Sequence, residues 1–390
     1  MQSLAPKTDF VGLEQVTHLA TGGEAPFLSS HLGVLQQFAV DKSAGMAGRE
    51  RILATADDTR RDLAGLLSCT PEDIGFANNV AQGVNMVVDS LTLEPGDNVV
   101  MERWEFPSVS FPWLRLQQRG VEVRLLDPEP GGWQASTERL RQAIDTRTRV
   151  VAVSQVSYLS GERHDLAAMS ALAHDAGALL LVDATHALGA VPVSAPHADF
   201  LFAACYKWIL GTHGVAVAYW NRQRLPDWRP RDVGWHSVPH QPVPLPGEAL
   251  SQFADGRVFE LGNPAFIAIA VLRNAVAYVN GFGIEDIAAH VTGLSGHLRR
   301  GLVELGVDLM TPDAAVQRAG NIAFAVGDEA LWRHELEARR VLAWIGDGRV
   351  RLSTHLFNNE SDIERALAAV AAIVDQRAAT RSRAGATASH

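Results

Sequence analysis

The sequence predicts an α/β fold built on a mostly parallel sheet. Short, nearly continuous apolar runs (VEVRLLD, RVVAVSQVS, LLLVDAT, DFLFAA and GVAVAYW) alternate with helix-like patterns through the first two thirds of the chain. Strands buried on both faces read as such runs, and intervening helices supply the crossovers that parallel pairing needs. At 390 residues the chain also exceeds what one hydrophobic core serves, so a second domain is expected.

The elements follow in order. GDNVVME reads as a strand, and FPWLRLQQRG after it as a helix closed by Gly120. DLAAMSALAHDAG is amphipathic and ends on a helix-capping Gly177. Residues 222–256 change texture: RLPDWRP and SVPHQPVPLPGE are rich in proline and hold no period, which predicts a long irregular excursion. After FELGNPAF come two helical patterns, AIAVLRNAVAYVNGFG and HVTGLSGHLRRGLVELG. Short strands (NIAFAV, RVRLS) then alternate with helices (ALWRHELEARR, ESDIERALAAVAAIVDQR), as in a smaller α+β domain. The expected division is an N-terminal segment, 1–30, packing with the small domain; a large domain, 31–262; and a small domain, 263–378. The tail, 379–390, is poor in apolar residues and is expected to be disordered.

Composition narrows the function. With 47% apolar and 20% charged residues the chain reads as soluble and globular. A net charge of −10 and the lack of a basic run interleaved with aromatics argue against nucleic acid as a partner. Cys69 and Cys205, the two cysteines, form no disulfide framework and no CxxC spacing, as expected in a reducing compartment. MQSLAPKTDF lacks a signal-peptide pattern and no apolar run reaches the length of a membrane span. A cytoplasmic protein with no membrane partner is the expectation.

The chemistry concentrates in VDATHALGAVPV and DFLFAACYKWILGTHGVAVAYW. Asp183 follows the strand LLLV and Lys207 lies just beyond DFLFAAC. Open α/β sheets bind ligands beyond the carboxyl ends of their strands. Burying either charge unpaired is costly, so something between them must repay it. An acid at one strand end and a lysine near another are the pair expected of the two anchors of pyridoxal phosphate (PLP). The lysine forms the Schiff base, while the carboxylate pairs with the pyridinium nitrogen and keeps the ring an electron sink.

These segments resemble the class V aminotransferase superfamily of fold-type I PLP enzymes, which includes cysteine desulfurases, kynureninases and isopenicillin N epimerase. The resemblance runs from APFLSS to VRLSTHLFNNE. It implies a large domain with a mostly parallel seven-stranded sheet and a smaller C-terminal α+β domain. It also implies that Asp183 partners the pyridinium nitrogen and that Lys207 carries pyridoxal 5′-phosphate. His186 falls where relatives have Gln or His near the ring's 3′ oxygen. Tyr206 precedes the lysine as in kynureninases, where it is thought to reach the phosphate and shuttle protons. FANNVAQGVNMVV matches the strand, turn and helix that cup the phosphate, with backbone donors at Val80 and Ala81 and Gln82 alongside; the usual Thr is absent. In RWEFPSVSFPW, Phe106 occupies the ring-stacking position, where desulfurases place His. In SQVSYLSG, Tyr158 replaces the Asn that contacts the ring oxygen. Asn263 in FELGNPAF stands where a Thr commonly meets the neighbouring subunit's cofactor, which implies a homodimer with shared active sites. Arg351 in VRLSTHLFNN matches the arginine that clamps the substrate's α-carboxylate.

Competing motifs are weak. His236 and His240 have an H-x3-H spacing, but Pro239 and the irregular context speak against a helical zinc face, and no metal is expected. No GxSxG elbow, P-loop or GxGxxG follows a strand.

The reaction is less constrained. Desulfuration needs a mobile nucleophilic cysteine ahead of the clamping arginine, and VLAWIGDGRVR has none. Cys205 lies just before Lys207, and Cys69 lies before the phosphate segment, so a desulfurase is not expected. Phe106 and Tyr206 point towards the kynureninase side. The resulting expectation is a lyase using Lys207, Tyr206 and His186 to cleave the C–S bond of a cysteine S-conjugate, or a C–C bond. Trp228, Trp235 and His236 are expected to wall its side-chain pocket. An aminotransferase or epimerase of the same family is the alternative, and a non-catalytic PLP-fold binding protein is the alternative from another class.

Overall fold

The structure, a computed structural model, describes residues 1–239 and 249–387, with side chains as far as residue 377. In chain order the elements are β1 (Thr17–Leu19), α1 (His31–Ser43), α2 (Gly45–Leu67), β2 (Ile74–Ala77), α3 (Val80–Ser90), β3 (Asn98–Glu102), α4 (Pro107–Leu114) and β4 (Glu122–Leu126). Then follow α5 (Thr137–Ala143), β5 (Thr148–Ser154), α6 (Leu166–Asp175), β6 (Leu179–Asp183), β7 (Phe200–Ala204) and β8 (Ala216–Trp220). The last part comprises α7 (Phe266–Asn280), α8 (Ile284–Glu304), β9 (Asn321–Ala325), α9 (Glu329–Ala338), β10 (Val341–Gly346), β11 (Arg349–Ser353) and α10 (Glu360–Thr387).

The large sheet has seven strands in the order β2-β8-β7-β6-β5-β3-β4, and β8 alone runs against its neighbours. Its strands are apolar on both faces for a visible reason. Val151, Val153, Leu180, Val182, Leu201 and Ala203 enter one core, while Val150, Ala152, Leu181, Phe200 and Phe202 enter another across the sheet. Successive side chains of a strand point to opposite faces, so two covered faces require an unbroken apolar run. VEVRLLD departs from this expectation. It forms the edge strand β4, paired with β3, with Glu122 exposed and the rest half-buried.

Helix ends follow local chemistry. Pro107 opens α4, where a missing N–H costs nothing, and the segment tightens to a 3-10 turn that closes at Gly120 with φ 81°. Asp165 caps α6 by accepting from the backbone N–H groups of Ala167 and Ala168.

The small sheet has the order β1-β10-β11-β9, so the N-terminal segment contributes a strand parallel to β10. β10 and β11 form a hairpin whose turn residues Asp347 and Gly348 have φ 48° and 74°, the geometry that Asp-Gly favours. Ile322, Phe324, Val350 and Leu352 of this sheet pack against Leu294 and Leu298 of α8 and Ile363 and Val370 of α10.

Two segments differ from the sequence-based division. Helix α7 packs on α1 and α2, with Ile269, Leu272 and Val276 in the main core, so it extends the large domain beyond 263. The path turns by 79° between α7 and α8; Ile287 and Val291 of α8 still join the main core, and Leu294, Leu298 and Leu302 pack with the small sheet. Helix α10 continues to Thr387 through the expected tail, because alanine and arginine are strong helix formers whatever their polarity; residues 388–390 lie outside the described residues. Among the described residues no single helix is long and apolar enough to cross a membrane.

Candidate active site

The carboxyl ends of β6 and β7 lie side by side, with Asp183 opposite Phe202. Asp183 is buried and accepts a hydrogen bond from the Thr185 backbone N–H at 2.8 Å. Burial pushes its carboxyl upward, while Thr185 and the nearby Lys207 pull it back. Lys207 sits in the tight turn after β7, where Leu210 N–H bonds the Lys207 carbonyl and Gly211 N–H bonds that of Cys205. Buried Leu210 adopts φ 63°, a left-handed conformation that costs an L-residue about 1–2 kcal/mol. Gly189, at φ 92°, lies so close that a Cβ there would come within 2.5 Å of the Trp208 carbonyl. The turn holding the lysine is thus pinned from behind.

Lys207 is itself buried, and its amine is held down to about 8, first by burial and then by the Arg351 charge. Its Nζ lies 3.2 Å from His186 Nε2. The other ring nitrogen, Nδ1, receives Trp208 Nε1–H at 3.3 Å and the Asn321 side-chain amide at 2.9 Å. An indole nitrogen is a donor only, and Asn321 Oδ1 is occupied by Ser353 Oγ at 2.7 Å. His186 Nδ1 is therefore an acceptor, and the ring's proton resides on Nε2. Burial and the charges of Lys207, Arg351 and Arg349 keep His186 neutral. A neutral imidazole presenting Nε2–H to an amine requires that amine's lone pair. The network therefore favours the free-base, nucleophilic form of Lys207.

Around this pair stands an aromatic wall. Phe106, the residue capping α4, has its ring centroid 5.5 Å from Lys207 Nζ. Tyr158 meets Phe106 edge-on at 5.0 Å. Beneath Phe106 lies Glu105, which the sequence reading missed. Its buried carboxylate accepts from the backbone N–H of Phe106 at 2.7 Å and of Ser154 at 2.7 Å, tying α4 to the end of β5. Burial raises it to about 7.

Helix α3 points its N-terminus towards the same sheet edge. Asn79 caps it by accepting from Gln82 N–H at 2.9 Å, and Gln82 Oε1 accepts from Asn78 N–H at 2.8 Å. The N–H groups of Val80 and Ala81 belong to the first turn and have no carbonyl four residues back to bond, a natural seat for a phosphate. Gly83 lets α3 press on the sheet, since a Cβ there would lie 2.3 Å from the Phe202 ring.

The small domain supplies the remaining wall. Arg351 is buried on β11, donates from NH1 to the Tyr158 carbonyl at 2.5 Å, and lies 5.0 Å from the Trp344 ring. Its Nε has no partner among the described residues. Gly22 approaches this guanidinium so closely that a Cβ would meet Arg351 Nε at 3.1 Å and Asn321 Oδ1 at 2.7 Å.

Other expected residues lie elsewhere. Tyr206 borders Lys207, its ring 5.4 Å from Nζ, but stacks on His213 at 4.2 Å. Asn263 is exposed and bonds Arg49 at 3.0 Å. The expected side-chain pocket wall does not form. Trp228, half-buried, packs against the core residues Phe200, Trp220 and Phe259, near the opposite end of β7. Trp235 is largely exposed, and His236 lies 3.4 Å from buried Glu260; His240 falls outside the described residues. Cys205 and Cys69 are both driven up to about 12 by burial. A separate ionic cluster joins His164 to Glu102 at 3.5 Å and Glu162 at 3.8 Å, where the carboxylates hold the imidazole cationic, up to about 10, against burial.

These residues fit PLP. A buried carboxylate suits a ring nitrogen's positive charge, an amine that gives up its proton more readily than an ordinary lysine suits the aldehyde, and the Phe106 face suits the ring. Uncommitted helix N–H groups suit the phosphate.

Comparison with known proteins agrees. The model of the family described as "Aminotransferase class-V" matches residues 37–365. A probable cysteine desulfurase of Methanothermobacter thermautotrophicus is 32% identical over 60% of this chain and 58% of its own length. The apo cysteine desulfurase of Thermococcus onnurineus NA1 superimposes with a TM-score of 0.87 at 21% identity, covering 96% of this chain and all of that one. A complex of the cystine C–S lyase C-DES with cysteine persulfide superimposes with a TM-score of 0.83 at 23% identity, over 93% of this chain and 99% of the other. The chain belongs to the aminotransferase class-V family and is a PLP-dependent enzyme.

Proposed function

We propose that the protein is a lyase acting on an amino acid, with C–S β-elimination from a cysteine S-conjugate as the first reading and kynureninase-like C–C cleavage as the second. The supporting observation is a buried Lys207 amine, lowered to about 8 and 3.2 Å from His186 Nε2, without a usable thiol beside it. In VLAWIGDGRVR, the stretch ahead of Arg351 where a desulfurase needs its nucleophilic cysteine, this chain has none. Elimination needs no such nucleophile, because the thiolate leaves unaided. Fold likeness to the C–S lyase C-DES is compatible with the reading.

When bound, PLP supplies the electron sink for a pair left at the α-carbon. Arg351 holds the α-carboxylate, and Phe106 and Tyr158 exclude water from one side. Lys207 Nζ accepts the α-proton. The Cβ–S bond then breaks, and its electron pair leaves with the thiolate. Overall, one S-conjugate and one water become a thiol, pyruvate and ammonia. Homodimerisation belongs to the same proposal. Leu32, Val40 and Met46 on α1 and α2 are 52–71% exposed, an apolar surface that a second copy would cover.

The test is a panel of cysteine S-conjugates and kynurenine-type amino acids with purified protein, scoring pyruvate, alanine, thiol and ammonia. Amino-group exchange with a 2-oxo acid, in the absence of any cleavage product, replaces the lyase with an aminotransferase. PLP binding without any turnover supports the binding-protein alternative.

A further inference from the structure

Arg349 takes no part in holding the cofactor, yet it is a fully buried guanidinium (0% exposed) on the same strand face as Arg351. Residues two apart on a strand point the same way, their Cα atoms about 7 Å apart. Arg349 lies 4.4 Å from the Trp344 ring centroid and 5.1 Å from that of Tyr158. Trp344 also receives Arg351, and Tyr158 abuts Phe106, so the two cations and the cofactor wall are contiguous.

Its hydrogen bonding is incomplete. NH1 meets Asp347 Oδ2 at 3.3 Å, but that carboxylate is 66% exposed, and Arg349 Nε and NH2 have no partner among the described residues. Arg351 Nε is likewise unpartnered. Buried unpaired donors on a charged group are expensive, and two like charges on neighbouring positions add repulsion. Stacking alone does not explain the arrangement, since it satisfies none of these N–H groups. A second anion would satisfy both requirements.

We infer that Arg349 is a second anion seat, and that the substrate is an α-amino acid whose side chain ends in its own acidic group, carboxylate or sulfonate. This rests on the reading of Arg351 as the α-carboxylate clamp. Arg351 holds the α-carboxylate near Lys207. The side chain runs past Tyr158, and its terminal anion bonds Nε and NH2 of Arg349.

Isothermal titration of the PLP-loaded protein with unreactive acids tests this. The probes are glutarate, its mono-amide glutaramate, and 4-sulfobutyrate. One or both dianions should bind about tenfold or more tightly than glutaramate, since a charge-assisted fork is lost with the amide. The stronger dianion tells whether the acidic group is a carboxylate or a sulfonate. Arg349→Met should bring the dianion and glutaramate affinities together, and Arg349→Lys should keep part of the difference. Equal binding of all three by the wild type, where folding is not in question, overturns the second seat. So does a difference that persists in a folded Arg349→Met protein. If glutaramate binding weakens in Arg351→Lys while the dianions gain nothing, the clamp stands and only Arg349 loses its role. If no acid binds at all, the clamp reading falls as well.

Discussion

Replacing His186 with leucine would strand two donors that now share one nitrogen. Trp208 Nε1 and Asn321 Nδ2 both end on His186 Nδ1, and both residues are fully buried. Each buried donor left without an acceptor costs about 1–3 kcal/mol, so His186→Leu should destabilise the protein by about 2–6 kcal/mol. His186→Gln provides a carbonyl for one or both donors and an amide N–H for Lys207, and should cost about 1 kcal/mol. Denaturant titrations of the PLP-free proteins measure both values. The same pair reports on Lys207. Losing the Nε2–H donor removes support for the neutral amine, so in His186→Leu the lysine should titrate higher than the wild-type value of about 8. Reductive methylation with labelled formaldehyde, followed by NMR across pH, reads that midpoint. Equal stability of the Leu and Gln variants would refute the hydrogen-bond accounting. An unchanged Lys207 midpoint would refute the tautomer assignment.

Three further outcomes follow from the same geometry. Lys207 titrates near 8 when folded against an ordinary 10.5, so the unfolded chain binds its proton more tightly. Its burial therefore costs stability in full below about pH 8, and the cost fades as pH rises towards 10.5. PLP-free Lys207→Met should be more stable than wild type at pH 7 by up to ~3 kcal/mol, with the gain shrinking by pH 10; no gain at pH 7 counts against the shifted lysine. Gly83→Ala puts a methyl 2.3 Å from the Phe202 ring, so α3 must lift. A loss of ~1–3 kcal/mol and weaker PLP binding are expected by melting and cofactor titration, and an unchanged protein would contradict the packing. His164→Leu removes the cation from Glu102 and Glu162 and should cost ~3–5 kcal/mol at pH 8. It should cost less at pH 5, because Glu162, raised to about 7, is then protonated. A penalty independent of pH would remove the ionic reading of that cluster.

Much of the large domain was legible because each face of its sheet is covered. The runs that became β5, β6, β7 and β8 announce double burial residue by residue, and the positions of Asp183 and Lys207 at strand ends announce a site. Helix α1 was not read, because it exposes Leu32 and Val40 and buries only His31, which leaves no apolar stripe to find; α2 was not read either, since its buried face mixes Gly48, Thr59 and Arg60 with Leu63 and Leu67. β4 read as a buried strand but lies at the sheet's edge, since neighbour count is not a property of the strand's own residues. The partners that tune the site were decided only in three dimensions. Asn321 sits 135 residues from His186, and Arg351 reaches a carbonyl 193 residues away. Trp228 packed against the core rather than walling a pocket, and Arg349 acquired unpaired donors, among the described residues, beside Tyr158. Local sequence encodes periodicity, burial and turn chemistry. Which side chains meet across the cleft depends on how the small sheet docks on the large one, and no local pattern specifies that.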